Sequence, residues 1–231
     1  MSIFVAGLDL GMLQDYTALV VIEASGTKRM VTSEARDRET GLPYTSQRPV
    51  EMMPLAQVDV RYIERFPLEI KYSVMAQLIR QRLSKLPVPR YFVLDKTGVG
   101  VPVAEMFAEF APIGITFVAG TSTSCIGEQD YHVPKRDLIF SAQVLLQNHT
   151  MRISNKLPHA VILERELHAF RMKISVSGHD SYEAWRERDH DDLVNALAIA
   201  CWSAQLIVSV KAANDLGGSN RRQEPPIISP F

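Results

Sequence analysis

"IFVAGLDLGMLQDYTALVVIEAS", residues 3–25, holds two apolar runs joined by a short connection. Residues 3–10 carry apolar side chains at odd and even positions alike, so both faces of the strand need cover, which is the mark of a central strand. Residues 17–25 repeat this character after "GMLQDY", and the pair is expected to form a hairpin. One residue breaks the first run. Asp9 lies inside an otherwise uncharged strand, and a buried carboxylate is expensive unless something compensates for it. A turn or strand-end hydrogen bond is the ordinary explanation for a lone acid there, so the rest of the chain has to show whether that suffices.

Beyond the hairpin, "GTK" (26–28) reads as a turn and "RMVTSEA" (29–35) as the opening of a third strand. Residues 36–56 are polar, with three prolines and a glycine, and read as a long exposed loop before "QVDVRYIERF" (57–66) returns to strand character. From Ile70 to Leu86 the apolar spacing becomes helical. "RYFVLD" (90–95) and "GITFVAG" (114–120) are short, almost wholly apolar strands separated by a helix near 102–111. A Ser/Thr/Gly-rich loop follows, then helices at about 135–148 and 158–170 and a buried helix from 191. This order predicts an α/β fold with a mixed sheet, antiparallel at the start and parallel afterwards, flanked by helices. One domain is expected over residues 1–210, with a disordered tail over 211–231.

Composition narrows the function. Of 231 residues 46% are hydrophobic, enough for a substantial core. The 25 basic and 26 acidic residues give a net charge of −1, so any nucleic-acid face must come from local clustering. Cys125 and Cys201 stand in no CxxC or CxxH context, which excludes a thiolate zinc site and a disulfide framework and fits a reducing cytoplasm. No signal peptide is visible, and the apolar run at 193–202 is shorter than the roughly 20 residues of a membrane span. A cytoplasmic protein with no membrane partner is expected.

Two further acidic points join Asp9. Asp95 ends the strand 90–95 just before "KTGVG", and the carboxyl ends of parallel strands are where α/β sheets build sites. Asp as a turn former competes with that reading. Asp191 and Asp192 open the apolar run Leu193–Trp202, where helix capping is the plain alternative. Taken together the three points suit one chemistry. Two divalent cations about 3.5 to 4 Å apart clamp the attacking and leaving oxygens of a phosphodiester. Mg²⁺ and Mn²⁺ prefer oxygen ligands, so carboxylates from distant parts of the chain must converge. Without metal such carboxylates repel one another, which makes the cluster a poor structural device.

An acid in strand one, another at the end of a later parallel strand and an acid pair opening the last core helix resembles the arrangement of RNase H-like nucleases. At the level of motifs, "GLDLGMLQDYTALVVIE" and "YFVLDKTGVGVPVAEMF" resemble the first and second acidic motifs of the nuclease domain of tailed-bacteriophage large terminase subunits. "VPKRDLIFSAQVLLQNHTMRIS" is similar to the segment between, and "HDDLVNALAIA" to the closing motif. Together they cover most of residues 5–205 in the right order. The resemblance implies an RNase H-like fold and a two-metal endonuclease acting on double-stranded DNA. It implies that Asp9, Asp95 and one or both of Asp191 and Asp192 bind two Mg²⁺ or Mn²⁺ ions. Asp15 and His190 become candidates for an outer shell around the ions, with a turn role as the alternative for Asp15. Lys135 and Arg136, at the start of a helix, become candidates for phosphate contacts, with a solvated basic pair as the alternative. Arg36, Arg38 and Arg48 in the long loop are weighed in the same way.

Large terminases also carry a packaging ATPase, and no GxxxxGK[ST] phosphate loop occurs in this sequence. Motor activity is therefore not carried over; a separate packaging ATPase, a small terminase subunit and a portal are the partners the resemblance implies. Three rival readings stay open. They are a RuvC-like junction resolvase, an ATPase of the actin and sugar-kinase type suggested by "DLG" in strand one, and an inactive RNase H-like DNA-binding or assembly module.

Overall fold

The computed structural model describes residues 2–11, 15–26, 34–36, 43–45, 55–120, 122–127, 129–177 and 191–216. Its centre is the hairpin read first in the sequence: β1 (Ser2–Asp9) pairs antiparallel with β2 (Ala18–Gly26). On its other edge β1 pairs in parallel with β6 (Arg90–Asp95), which pairs in parallel with β7 (Ile113–Val118). The third strand of the meander is β5 (Leu55–Arg65), antiparallel to β2. The segment 29–35 was expected in that place. Of it, residues 34 and 35 belong to the short β3 (Glu34–Arg36), which pairs with β4 (Pro43–Thr45) in a separate two-stranded sheet. β5 brings Val58, Val60 and Ile63 into the core face that it shares with β2.

Three short strands complete the sheet: β8 (Ser124–Cys125), β9 (Asp130–Pro134) and β10 (Met151–Ile153). The eight strands run in the order β10-β5-β2-β1-β6-β7-β9-β8. This is the mixed sheet expected from the sequence, antiparallel from β5 to β1 and parallel from β1 to β9.

Alternation of side chains along the strands sends residues to two layers. On one face Ile3, Val5, Ala18, Val20 and Val93 pack against α3 (Lys135–Gln147), α4 (Ala160–Ser177) and α5 (Asp192–Leu216). On the other, Ala6, Leu8, Leu19, Val21 and Leu94 meet α1 (Tyr72–Ser84) and α2 (Gly100–Glu105). Asp9 follows Ile3, Val5 and Gly7 in the period of two, and Asp95 follows Val93. Both acids therefore face α5.

The α5 helix runs through 211–216, which the sequence placed in a tail; residues 217–231 lie outside those described. Over Asp192–Lys211 it is long and apolar enough, by length and composition, to cross a membrane, unlike the ten-residue run expected. Yet 83% of that window is buried inside the fold, which is how a core helix between a sheet and other helices reads.

Gly7 explains how α5 comes so close to the sheet. A Cβ at that position would stand 2.2 Å from the Ala196 carbonyl oxygen and 2.9 Å from the Ala200 nitrogen. Both are backbone atoms of a buried helix, which cannot yield as a side chain can. Gly7→Ala should therefore lower stability by about 1 to 3 kcal/mol or more, as overpacking does. Urea unfolding measures this, and a variant as stable as the wild type would show that α5 moves freely on β1.

Candidate active site

The last paired residues of β1 and β6 are Leu8 and Leu94, so Asp9 and Asp95 end the two strands level with each other. Neighbouring strands lie about 5 Å apart, which sets two carboxylates side by side on the α5 face. Asp9 is 8% exposed, Asp95 7% and Asp192 5%. Burial, followed by the charges of Asp95 and Asp192, pushes the Asp9 carboxyl well above its usual range; the Asn195 amide opposes the rise and Asp191 adds to it. Burial also raises the Asp95 carboxyl, opposed by Thr97 and by the Lys135 charge. The Thr97 backbone N–H donates to Asp95 Oδ1 at 2.7 Å, so the turn after β6 fixes this side chain.

The α5 helix brings the acid pair. The Asp191 carbonyl accepts the Asn195 N–H at 2.9 Å, which makes Asp191 the residue just outside the first turn and Asp192 the first inside it. The carboxylate of Asp191 accepts from Lys135 Nζ at 3.0 Å and from Asn195 Nδ2 at 3.3 Å. Asn195 Nδ2 also donates to Asp9 Oδ2 at 3.2 Å, so one amide ties the helix to β1. With two carboxylates on that side, the amide NH₂ must face them. Its oxygen, Oδ1, is buried with no hydrogen-bond partner among the described residues.

Three residues not singled out in the sequence complete the surroundings. Arg65, the last residue of β5, donates from one terminal nitrogen to Glu166 Oε1 at 2.6 Å and to Asp192 Oδ2 at 3.2 Å. Its guanidinium stacks 4.4 Å from the centre of the Tyr16 ring. Glu166, on α4, accepts the Leu193 and Val194 N–H groups through Oε2 at 3.0 and 3.2 Å. The cap on these two groups thus comes from another helix, not from Asp191. Burial pushes the Glu166 carboxyl up to about 7, with Arg65 and the two N–H donors opposing the rise and Asp192 adding to it. Asn195 had a signal in the sequence, being a polar residue one turn after Asp191 in an apolar run. Arg65 and Glu166 had none, since each sits in an ordinary mixture of charged and apolar residues.

The other candidates divide. Lys135 opens α3 and bonds Asp191, whereas the Arg136 Nε pairs with its neighbour Asp137 at 3.3 Å. Asp15 is exposed in the connection between β1 and β2. His190, Arg38 and Arg48 lie outside the described residues, as does the side chain of Arg36.

Oxygen donors from four carboxylates, a buried amide oxygen without a partner and mutual repulsion suit a hard divalent cation. Among the described residues, however, no three His, Cys, Asp or Glu side chains already stand as one ligand group. Lys135 and Arg65 hold Asp191 and Asp192. A metal ion would have to compete with these cations. Cys201 does not enter the question, since it is buried in the core and its thiol is pushed up by burial.

No protein-family model matches the sequence, and comparison with curated proteins gives no match. Among solved structures, one described as the crystal structure of the large terminase nuclease from thermophilic phage G20c is similar to this chain at a TM-score of 0.47 and 18% identity. The alignment covers 86% of this chain and 81% of the other.

Proposed function

We propose that this protein is a metal-dependent endonuclease that cuts double-stranded DNA in the manner of terminase nucleases. One observation supports the reading: Asp9, Asp95 and Asp192 are buried carboxylates from three elements, and the charges of Asp95, Asp192 and the more exposed Asp191 act against that of Asp9. A structural role would be better filled by neutral groups, because a buried like-charge cluster destabilises the fold that contains it. Asp9, Asp95 and Asp192 would hold Mg²⁺ or Mn²⁺, with Asp191 reaching from the side. The chemistry such ions supply is stabilisation of the charge on the attacking and leaving oxygens of a phosphodiester.

The chain's own residues supply the rest. Thr97 and Asn195 orient Asp95 and Asp9 through the bonds described. Lys135 stands beside Asp191 and its charge opposes the rise at Asp95, so it is placed to turn from Asp191 to a phosphate oxygen. Duplex DNA is the proposed substrate and the cytoplasm the proposed setting. A packaging ATPase, a small terminase subunit and a portal are proposed as partners on other chains.

The test uses supercoiled and linear duplex, an RNA–DNA hybrid and a four-way junction, each with Mg²⁺, Mn²⁺ or EDTA. Duplex cleavage with either metal and none with EDTA is expected. Activity that survives EDTA would falsify the proposal. Cleavage confined to junctions or hybrids would keep the metal chemistry and replace the substrate.

A further inference from the structure

Arg65 reaches the acid cluster because of a defect in strand pairing. Val21 pairs with Tyr62 but Ile22 pairs with Val60, so Arg61 is an extra residue in β5. Before this bulge Val58 and Val60 face α5; after it Ile63 does, as one step in the period of two is lost. Arg65 then lies opposite Ala18, on the α5 side. Without the extra residue it would point toward α1. Bulges beside sites commonly re-aim a side chain in this way.

The side chain so aimed is a poor stabilising device. Its side chain is 12% exposed and that of Glu166 6%. The Arg65 Nε is buried without a hydrogen-bond partner among the described residues. Apolar residues of similar volume often do as well as a buried ion pair, or better. The arrangement does achieve something else. One carboxylate, Glu166, holds the backbone of the two residues after Asp192 and anchors the guanidinium that touches the Asp192 side chain. The main chain just after Asp192 and the Asp192 side chain are thereby referred to the same group, and the 2.6 Å contact to Glu166 is shorter than the 3.2 Å contact to Asp192.

We propose that Glu166 and Arg65 are a positioning pair for Asp192: Glu166 keeps the guanidinium to itself, so that the Asp192 carboxylate stays aimed and can exchange its weaker hold on Arg65 for a divalent ion. This rests on the nuclease reading above. Neither residue touches DNA or the reacting atoms; both act through Asp192. Loss of Glu166's charge leaves Arg65 to Asp192 alone, and metal must then compete with an undivided cation.

The test is Glu166→Gln, which keeps an oxygen for the two N–H groups and removes the charge. Mn²⁺ affinity is measured on the protein without DNA, by calorimetry or by the resonance signal of free Mn²⁺. Thermal unfolding and the kcat and KM for duplex cleavage are measured alongside. Mn²⁺ affinity should fall about 10- to 100-fold, the usual cost of losing a partner behind a metal ligand. The KM for DNA should hardly change. Arg65→Lys keeps the charge and loses the planar fork; its Mn²⁺ affinity should fall less than that of Arg65→Gln. That comparison decides the matter if Glu166→Gln does not fold. A Glu166→Gln protein that melts lower but binds Mn²⁺ as the wild type does would make the pair merely structural and overturn the inference alone. A wild-type protein that binds no Mn²⁺ overturns the nuclease reading and this inference with it.

Discussion

Asp9→Asn should abolish cleavage and yet make the metal-free protein harder to unfold. The two effects have one source. Asp9 is buried beside the charges of Asp95 and Asp192, and both circumstances favour its neutral form. An acid whose carboxyl is raised in the folded protein adds stability that is complete below its unfolded range and is lost as pH rises through the folded value. Glu166 has the same sign, raised from 4.5 to about 7. In EDTA the wild type should therefore lose stability as pH rises from about 4.5 to about 7, and Asp9→Asn should flatten that slope. Cleavage moves the other way. A charged ligand supplies several kcal/mol of the stabilisation a bound metal provides, and about 4 kcal/mol is a factor of about 10³ in rate. Urea unfolding at pH 5 and pH 8 in EDTA, with duplex cleavage in Mn²⁺, measures both. Cleavage near the wild-type rate would remove Asp9 from the site, and a variant less stable than wild type at pH 8 would show that its charge is not opposed there.

Much of this geometry was legible in the sequence because period and position coincide. An acid two residues after Gly7 in a strand apolar on both faces has a defined side, and so has one two residues after Val93. Both sides follow from alternation alone once β1 and β6 are taken as parallel neighbours. The acid pair at the head of the apolar helix brings the third element to the same end of the sheet. What alternation cannot show is where it breaks. The bulge at Arg61 reverses the face of every later residue in β5, and nothing in "VDVRYIERF" announces it. The short strands β8, β9 and β10 were missed for a different reason: with two, five and three residues they are too brief for any period to show. Glu166 escaped because its role depends on the end of a helix more than 20 residues away, which local spacing does not contain.

The adjacent acids should prove unequal, with Asp192→Asn costing more than Asp191→Asn. Successive helical residues point about 100° apart, so two neighbours cannot face the same ligand alike. The apolar run gave no polar face to set the helix rotation, but Gly7 sets it. The Ala196 carbonyl and Ala200 lie against β1, and Asp192 stands one turn before Ala196 on that side. Its charge acts on Asp9 more strongly than that of Asp191 does. Asp191 is less buried, sits just outside the first turn, and is engaged by Lys135 and Asn195. Asp192→Asn should thus lower Mn²⁺ affinity and cleavage together, by a factor on the order of 10³ in rate. Asp191→Asn should cost about 10- to 100-fold, chiefly in kcat, because it releases Lys135 and loosens the amide that steadies Asp9. Titration of each variant with Mn²⁺, read by calorimetry and by cleavage at saturating metal, separates the two. Equal and complete loss in both would mean that each carboxylate holds a metal ion. The reverse order would place Asp191, not Asp192, at the centre of the cluster and would break the link drawn from Gly7 through α5 to the site.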